Sequence, residues 1–273
     1  MKTIKIITDS TVGLTRDFVE RYDIGIVPLS YTFEGKNYIE GVTQTSEEYY
    51  ARLAKSKSFP VTSQPPTGDF CEAYTKALKE YEEVLVITLS SKISGTYNSA
   101  VLAKEIVSKD NITVIDSMNA VKNIQYQIED AIDMMKQGKS RREIEEHINS
   151  IKGNQKVALV VDDLEYLRRG GRISSFSSSL GNILKVKPII GLEDGQLVLK
   201  EKLRGTKNAM DRLVQMPPED TKRLSISHVT NPEMAKKLRL RLEQRLPSTR
   251  ITIDELSPVI GSHIGIKAIG ILY

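Results

Sequence analysis

Residues 84–96, VLVITLSSKISGT, place an apolar run directly before a polar turn and the start of a helix. The run Val84–Leu89 is rich in β-branched residues, as expected of a strand that is buried on both faces. Ser90–Ser94 is polar, and a helix is predicted from Gly95 to about Val107. A buried strand that passes through a short loop into a helix is the repeating unit of a parallel α/β sheet.

The same alternation extends on both sides of this stretch. Strands are predicted over Thr3–Thr8, Ile24–Leu29 and Ile112–Ile115. Helices are predicted near Thr15–Tyr22, Ser46–Ala54, Val121–Lys136 and Arg141–Ile151, and the segment Thr62–Thr67 is predicted to open a further helix that runs to about Tyr81. Strands that alternate with helices of this length predict an N-terminal α/β domain over residues 1–152, built on a parallel, doubly wound sheet.

The second half of the chain has a different pattern. Glu193-Asp194-Gly195 separates two apolar runs, which is a strong β-hairpin signal. Later strands, Arg223–His228 and Arg250–Leu256, flank a helix near Pro232–Gln244. A hairpin followed by a βαβ unit predicts a C-terminal mixed-sheet α/β domain over residues 153–273. The Ser-rich stretch Ser174–Ser179 is interpreted as a mobile or capping segment, and a lid and a static surface loop are both compatible with its composition.

Composition excludes several classes of protein. The 273 residues include one cysteine, Cys71, so an intramolecular disulfide is excluded. Apolar runs stay well short of the roughly 20 residues that span a bilayer. The first ten residues lack the apolar core of a signal peptide. We therefore expect a cytoplasmic protein without stable membrane insertion.

Charge is unevenly distributed along the chain. From Gly153 onward there are 20 basic and 13 acidic residues, although the whole chain carries a net charge of only +4. Basic residues are densest on the predicted helix between Lys236 and Arg245. A solvated helix face is the favoured interpretation, and a surface for an acidic partner is the alternative. Because no DNA-reading motif accompanies these charges, no nucleic-acid partner is predicted.

Two polar segments are candidates for binding an anion. Ser94-Gly95-Thr96 follows a buried strand, so free backbone N–H groups and hydroxyls would gather at the start of a helix. Thr62–Thr67 is predicted to repeat this arrangement, with prolines in the first turn. Ordinary helix capping is the alternative for each segment taken alone.

Nucleophilic catalysis is a second hypothesis. A Ser94–His263–Asp9 triad can be written down, and His263 lies in the glycine-flanked segment Gly261–Gly265, which is predicted to be a loop. The chain has no G-x-S-x-G motif, however. It also lacks the spacings of metal, P-loop and dinucleotide sites, so no metal and no cofactor is predicted. A serine-dependent hydrolase or acyltransferase that uses Ser94 and His263 remains the alternative function.

Several motifs together carry a resemblance to a known family. They are Thr62-Ser63-Gln64-Pro65, Ser94–Ala100, Gly170–Ser174, Lys187-Pro188-Ile189 and Gly261–Gly265. Their order along nearly the whole chain resembles the DegV family, as do Asp9-Ser10-Thr11 and Asp116-Ser117. The resemblance implies two α/β domains and a non-catalytic protein that buries a long-chain fatty acid in a tunnel. It also implies a partner, because several members serve as the lipid-carrying subunit of fatty acid kinase.

The resemblance assigns roles to individual residues. Thr62, Ser94, Gly95 and His263 would bind the fatty acid carboxyl group. Arg172 and Arg204 match arginines implicated in contact with the kinase or the transferred phosphate. The chain departs from the family pattern after Gly265, where Ile266-Lys267 stands in place of Pro-Gly.

Overall fold

The computed structural model describes residues 2–107, 110–173 and 186–273. The chain divides into two compact units. The first comprises Met1–Thr32, Lys36–Thr43 and Thr62–Asn154, and the second comprises Phe33–Gly35, Gln44–Val61 and Gln155–Tyr273. The boundary predicted near Gly153 differs from this division, because it places the two short excursions, residues 33–35 and 44–61, in the first domain.

Strands and helices follow each other in the order that a layered α/β protein requires. The strands are β1 (Lys2–Asp9), β2 (Gly25–Val27), β3 (Ser30–Phe33), β4 (Lys36–Ile39), β5 (Val61–Ser63), β6 (Tyr81–Thr88), β7 (Ile112–Asp116), β8 (Val157–Val160), β9 (Val186–Glu193), β10 (Gln196–Arg204), β11 (Arg223–His228), β12 (Arg250–Glu255) and β13 (Ile269–Leu272). The described α-helices are α1 (Arg16–Tyr22), α2 (Ser46–Leu53), α3 (Thr67–Ala77), α4 (Thr96–Val107), α5 (Lys122–Lys136), α6 (Arg141–Ile151), α7 (Glu165–Arg169), α8 (Gly205–Gln215), α9 (Pro232–Arg245) and α10 (Pro258–Ile264).

The first unit is built on a parallel sheet of four strands in the order β2–β1–β6–β7. Leu85 and Ile87 of β6 pack with α5 and α6 on one face, and Val84 and Val86 pack with α3 and α4 on the other. Both faces of the central strand are therefore buried, as its apolar run predicts. The prediction of a parallel, doubly wound sheet is confirmed. A small sheet in the order β4–β3–β5 accompanies it.

The second unit is built on a mixed sheet of six strands in the order β10–β9–β8–β13–β11–β12. β11 and β12 pair in parallel, and the remaining neighbours are antiparallel. Helices α8 and α9 cover one face through a cluster that includes Leu213, Leu242 and Ile226. The Asp194-Gly195 turn has positive φ at both residues, which is the requirement of a tight hairpin. The predicted mixed sheet is confirmed.

Two local predictions are wrong. Thr62 does not open a helix: it lies in β5, and α3 begins only at Thr67, after Pro66. His263 does not lie in a loop, because residues 258–264 form α10 with a proline in its first turn. The Ser-rich stretch Ser174–Ser179 lies outside the described residues. Among the residues that are described, no helix is both long enough and apolar enough to cross a membrane.

Candidate functional site

The start of α4 gathers hydroxyl groups at the carboxyl end of β6. Ser94 Oγ accepts a hydrogen bond from the backbone N–H of Thr96 at 3.3 Å, and the two side-chain oxygens, Ser94 Oγ and Thr96 Oγ1, lie 2.8 Å apart. Ser94 and Gly95 are half-buried, and Thr96 is buried. First-turn N–H groups and the positive end of the helix favour an anion at this point.

Gln64 brings the segment that carries Thr62 to the start of α4. Its Nε2 donates to Ser99 Oγ at 2.9 Å, one turn into the helix. Its amide also lies against Gly95, where an added Cβ would be only 1.7 Å from Gln64 Oε1. Thr62 itself is half-buried in the middle of β5. Thr62, Ser94 and Gly95 thus belong to connected parts of one unit.

Asp9 stabilises the carboxyl end of β1, the strand next to β6. One carboxylate oxygen accepts from the backbone N–H of Thr11 at 3.0 Å and from its hydroxyl at 2.5 Å, and the other accepts from the N–H of Leu89 at 2.7 Å. Burial raises the pKa of Asp9, and the hydrogen bonds, which lower it, offset this rise only in part. Through these hydrogen bonds Asp9 holds the end of β1 to Leu89, the residue that follows β6.

Arg172 and His263 lie together in the second unit. Arg172 Nη1 donates to the carbonyl oxygen of Gly170 at 2.5 Å. A Cβ at Gly170 would lie 2.3 Å from His263 Nδ1, so the imidazole packs directly on that glycine. Burial, and then the positive charge of Arg172, lower the pKa of His263 to about 4. The imidazole is therefore neutral at pH 7, and burial lowers the pKa of Arg172 as well.

Helix α2 stabilises the helix that carries His263. Tyr49 Oη and Ser262 Oγ are 2.7 Å apart, and Tyr50 Oη donates to the carbonyl oxygen of Leu256 at 2.6 Å. Gly261 lacks a side chain where Tyr50 packs, since a Cβ there would lie 2.2 Å from Tyr50 Oη. The glycines around His263 thus make room for tyrosine rings and do not mark a flexible loop.

Arg204 lies at the end of a strand in the second unit. It is the last residue of β10, its side chain is exposed, and it precedes the first residue of α8. The residues that sequence analysis missed are Gln64, Tyr49 and Tyr50. Only Gln64 had a sequence signal, because it is part of the Thr-Ser-Gln-Pro motif.

The cluster formed by Thr62, Ser94, Gly95 and Thr96 in the first unit has the chemistry of an oxyanion site. It combines hydroxyl donors with a helix N-terminus, whereas the described ranges hold no group of three or more His, Cys, Asp or Glu residues arranged to bind a metal ion. Hydroxyl and N–H donors of this kind suit a carboxylate or a phosphate.

Known proteins resemble this chain over its whole length. A DegV domain-containing protein of Staphylococcus aureus is 35% identical over 272 residues, which is 98% of this chain and 97% of the relative. The crystal structure of DegV, a fatty acid binding protein from Bacillus subtilis, matches with a TM-score of 0.92 at 32% identity, covering 100% of this chain and 99% of that one. A stearic acid-binding protein from Eubacterium ventriosum matches with a TM-score of 0.91 at 27% identity, covering 99% and 98%.

A family model gives the same assignment. The family described as "Uncharacterised protein, DegV family" matches residues 3–273. Since both the family model and the relatives extend over nearly all of the sequence, this chain belongs to the DegV family.

Proposed function

We propose that this protein binds a long-chain fatty acid, with the carboxyl group held by Thr62, Ser94 and the N–H of Gly95, and with His263 as a further donor. The observation that carries the proposal is the hydroxyl-rich start of α4, to which Gln64 brings the Thr62 segment. Solved relatives with 27% and 32% identity are fatty-acid-binding proteins, which supports the same ligand for this chain.

The protonation state of His263 suits a fatty acid carboxylate. With a pKa of about 4, the imidazole is neutral at pH 7 and can donate one N–H. Arg172, beside it, remains charged and contributes the positive potential. Hydrogen bonds to charged groups are worth about 1.5–3 kcal/mol each, so these donors fix the orientation of the ligand.

The alkyl tail supplies most of the affinity in this proposal. About 14 buried methylenes at ~0.8 kcal/mol each give an upper bound of roughly 11 kcal/mol before the costs of binding. A buried apolar tunnel is therefore proposed for the tail, and selectivity for chain length would follow from its depth.

Mass spectrometry after organic extraction tests the proposal. We expect the purified protein to carry a stoichiometric fatty acid. Replacing both hydroxyls, Thr62→Ala with Ser94→Ala, should weaken fatty acid binding on the order of 100-fold, because two hydrogen bonds to a carboxylate are lost.

A matched double variant tests whether the weakened binding is specific to the site or follows from the loss of any two hydroxyls. Thr32→Ala with Ser150→Ala removes two exposed hydroxyls of the same unit whose hydrogen bonds are to Asn37 and to the carbonyl of His147. It should retain the lipid. A wild-type protein that neither carries nor takes up a fatty acid would falsify the proposed function.

We further propose that the bound lipid is presented to a fatty acid kinase, with Arg172 and Arg204 facing the kinase or the transferred phosphate. The exposed position of Arg204 suits a contact with a partner. Arg204→Ala should leave the affinity for fatty acid unchanged and slow phosphorylation of the bound lipid by a kinase catalytic subunit. Equal phosphorylation of both proteins would remove Arg204 from this role.

The hydrolase alternative has less support. Ser94 Oγ caps α4, Asp9 is committed to β1 and β6, and a histidine with a pKa of about 4 is a weak general base at pH 7. Ester turnover that disappears in Ser94→Ala would reverse this conclusion.

A further inference from the structure

Gln64 links two chain segments that are distant in sequence. Its Nε2 donates to Ser99 Oγ at 2.9 Å, and Ser99 is only 3% exposed. The backbone N–H of Ser99 in turn donates to the carbonyl oxygen of Gly95 at 3.1 Å, which closes the first turn of α4. The amide of Gln64 is therefore fixed to the helical turn that begins beside Ser94.

Gly95 is shaped to receive this amide. An added Cβ would lie 1.7 Å from Oε1, 2.5 Å from Cδ and 2.9 Å from Nε2 of Gln64. The φ of Gly95 is outside the left-handed region, so backbone conformation alone would allow alanine there. An alanine at position 95 would displace the amide of Gln64 from this contact.

We propose that Gln64 is a positioning residue for the carboxylate end of the fatty acid, acting through Ser99 and Gly95; this inference rests on the proposed function. Gln64 is two residues from Thr62, and the residues it contacts are one and five positions from Ser94. The amide thus sets the distance between the two hydroxyls. Groups that bind one carboxylate must be held within about 0.5 Å of their productive positions, so loss of this link weakens binding without removing a ligand contact.

The proposal differs from a general role in stability. Gln64 is exposed, and any general loss of stability in Gln64→Leu would weaken the binding of every ligand alike, whatever its head group. A positioning role instead predicts a loss that depends on the head group of the ligand. A fatty acid should lose affinity, whereas a primary alcohol with the same tail should lose much less, because it makes weaker hydrogen bonds to the same donors.

The experiment compares two ligands and three variants of the full chain. Affinities for hexadecanoate and 1-hexadecanol, both delivered from cyclodextrin, are measured for wild type, Gln64→Leu, Ser99→Ala and the double variant. We expect each single variant to weaken hexadecanoate binding about five- to tenfold and 1-hexadecanol binding less than about twofold. The double variant should be no weaker than the singles, since both remove the same hydrogen bond.

A control and the other outcomes complete the test. Gln137→Leu changes another exposed glutamine of the same unit and should leave both affinities unchanged. Hexadecanoate binding close to that of wild type in Gln64→Leu overturns the positioning role and leaves the proposed function standing. Equal losses for the acid and the alcohol, or additive losses in the double variant, overturn it as well. A wild-type protein that binds neither ligand contradicts the proposed function itself.

Discussion

Lys267 adopts a left-handed backbone conformation, with a φ of 62° and an exposed side chain. Its N–H donates to the carbonyl of Val229 at 2.9 Å, and its own carbonyl accepts from Asn231 Nδ2 at 3.1 Å. These bonds hold the turn in place. The DegV pattern has a glycine at this position, and only glycine adopts such a φ without steric cost.

Lys267→Gly should therefore stabilise the protein. Removal of the left-handed strain is worth about 1–2 kcal/mol, and the flexibility of glycine in the unfolded chain offsets about 0.5–1 kcal/mol of it. We expect the free energy of unfolding in urea to rise by about 0.5–1 kcal/mol. Lys222→Gly, at an exposed lysine without positive φ, should lower it. A loss of stability in both variants would contradict this account.

His263 couples the stability of the protein to pH. Its folded-state pKa of about 4 lies below the value near 6.5 of an unfolded chain. Between these values the unfolded chain binds a proton that the folded protein does not. Stability should therefore fall as the pH drops from about 6.5 to about 4, with a slope approaching ~1.4 kcal/mol per pH unit.

Urea unfolding at several pH values, compared with His263→Gln, measures this contribution. The variant should lose stability less steeply over the same pH range. Burial also lowers the pKa of His228, but that residue is present in both proteins, so the difference between them belongs to His263. Parallel pH profiles would show that His263 titrates normally in the folded protein.

At the scale of secondary-structure elements, α10 packs closely against Tyr50 of α2. A Cβ at Gly261 would meet Tyr50 at 2.2–2.8 Å, and Tyr50 Oη already donates to the carbonyls of Leu256 and Ser257. Because the ring is rigid and bonded at its end, it cannot move aside without breaking these bonds.

Gly261→Ala should destabilise the protein by about 1–3 kcal/mol, the usual cost of overpacking. Gly68 of α3 is the matched control, because no atom lies within 4 Å of the position that a Cβ would take there; Gly68→Ala should stabilise by about 0.5–1 kcal/mol through helix propensity. Thermal or urea unfolding distinguishes the two. Adding Tyr50→Leu to Gly261→Ala should recover part of the loss, and an absence of coupling between the two changes would argue against this contact.

Four basic residues of helix α9 have partners within the protein. Lys236 pairs with Glu233, Arg239 with Glu243, and Arg241 with Asp211 of α8. Arg245 donates to the backbone carbonyls of Val214 and Pro217. These pairings support the interpretation of a solvated helix face over a surface for an acidic partner.

The sheets could be predicted from sequence because their signals are local. The apolar run Val84–Leu89 requires burial on both faces, and Asp194-Gly195 requires a tight turn. The helix around His263 could not be predicted, because Gly261 and Gly265 resemble loop residues until Tyr50 and Tyr166 are seen to fill the space beside them. Likewise, the pairing of Gln64 with Ser99 joins residues 35 positions apart, which no local pattern encodes.

At the scale of the whole molecule, α2 is far in sequence from most of the unit it belongs to. Gln44–Val61 clusters with Gln155–Tyr273, whereas the chain before and after it belongs to the first unit. Tyr49 and Tyr50 make the hydrogen bonds that join α2 to Ser262 and Leu256. We therefore expect α2 to unfold with the second unit.

Native-state hydrogen exchange on the full chain tests this expectation, with Ile226→Ala as the perturbation. Ile226 is fully buried in the core of the second unit, so its truncation should lower the stability of that unit by about 2–5 kcal/mol. Amides of α2 should then lose protection in parallel with those of β11 and β13, because Tyr49 and Tyr50 attach α2 to the second unit and the helix should open when that unit does. Amides of α3, which follow α2 closely in sequence but pack in the first unit, should lose less. If α2 keeps its wild-type protection while β11 loses its own, the helix does not depend on the second unit, and the tyrosine contacts do not determine where it folds.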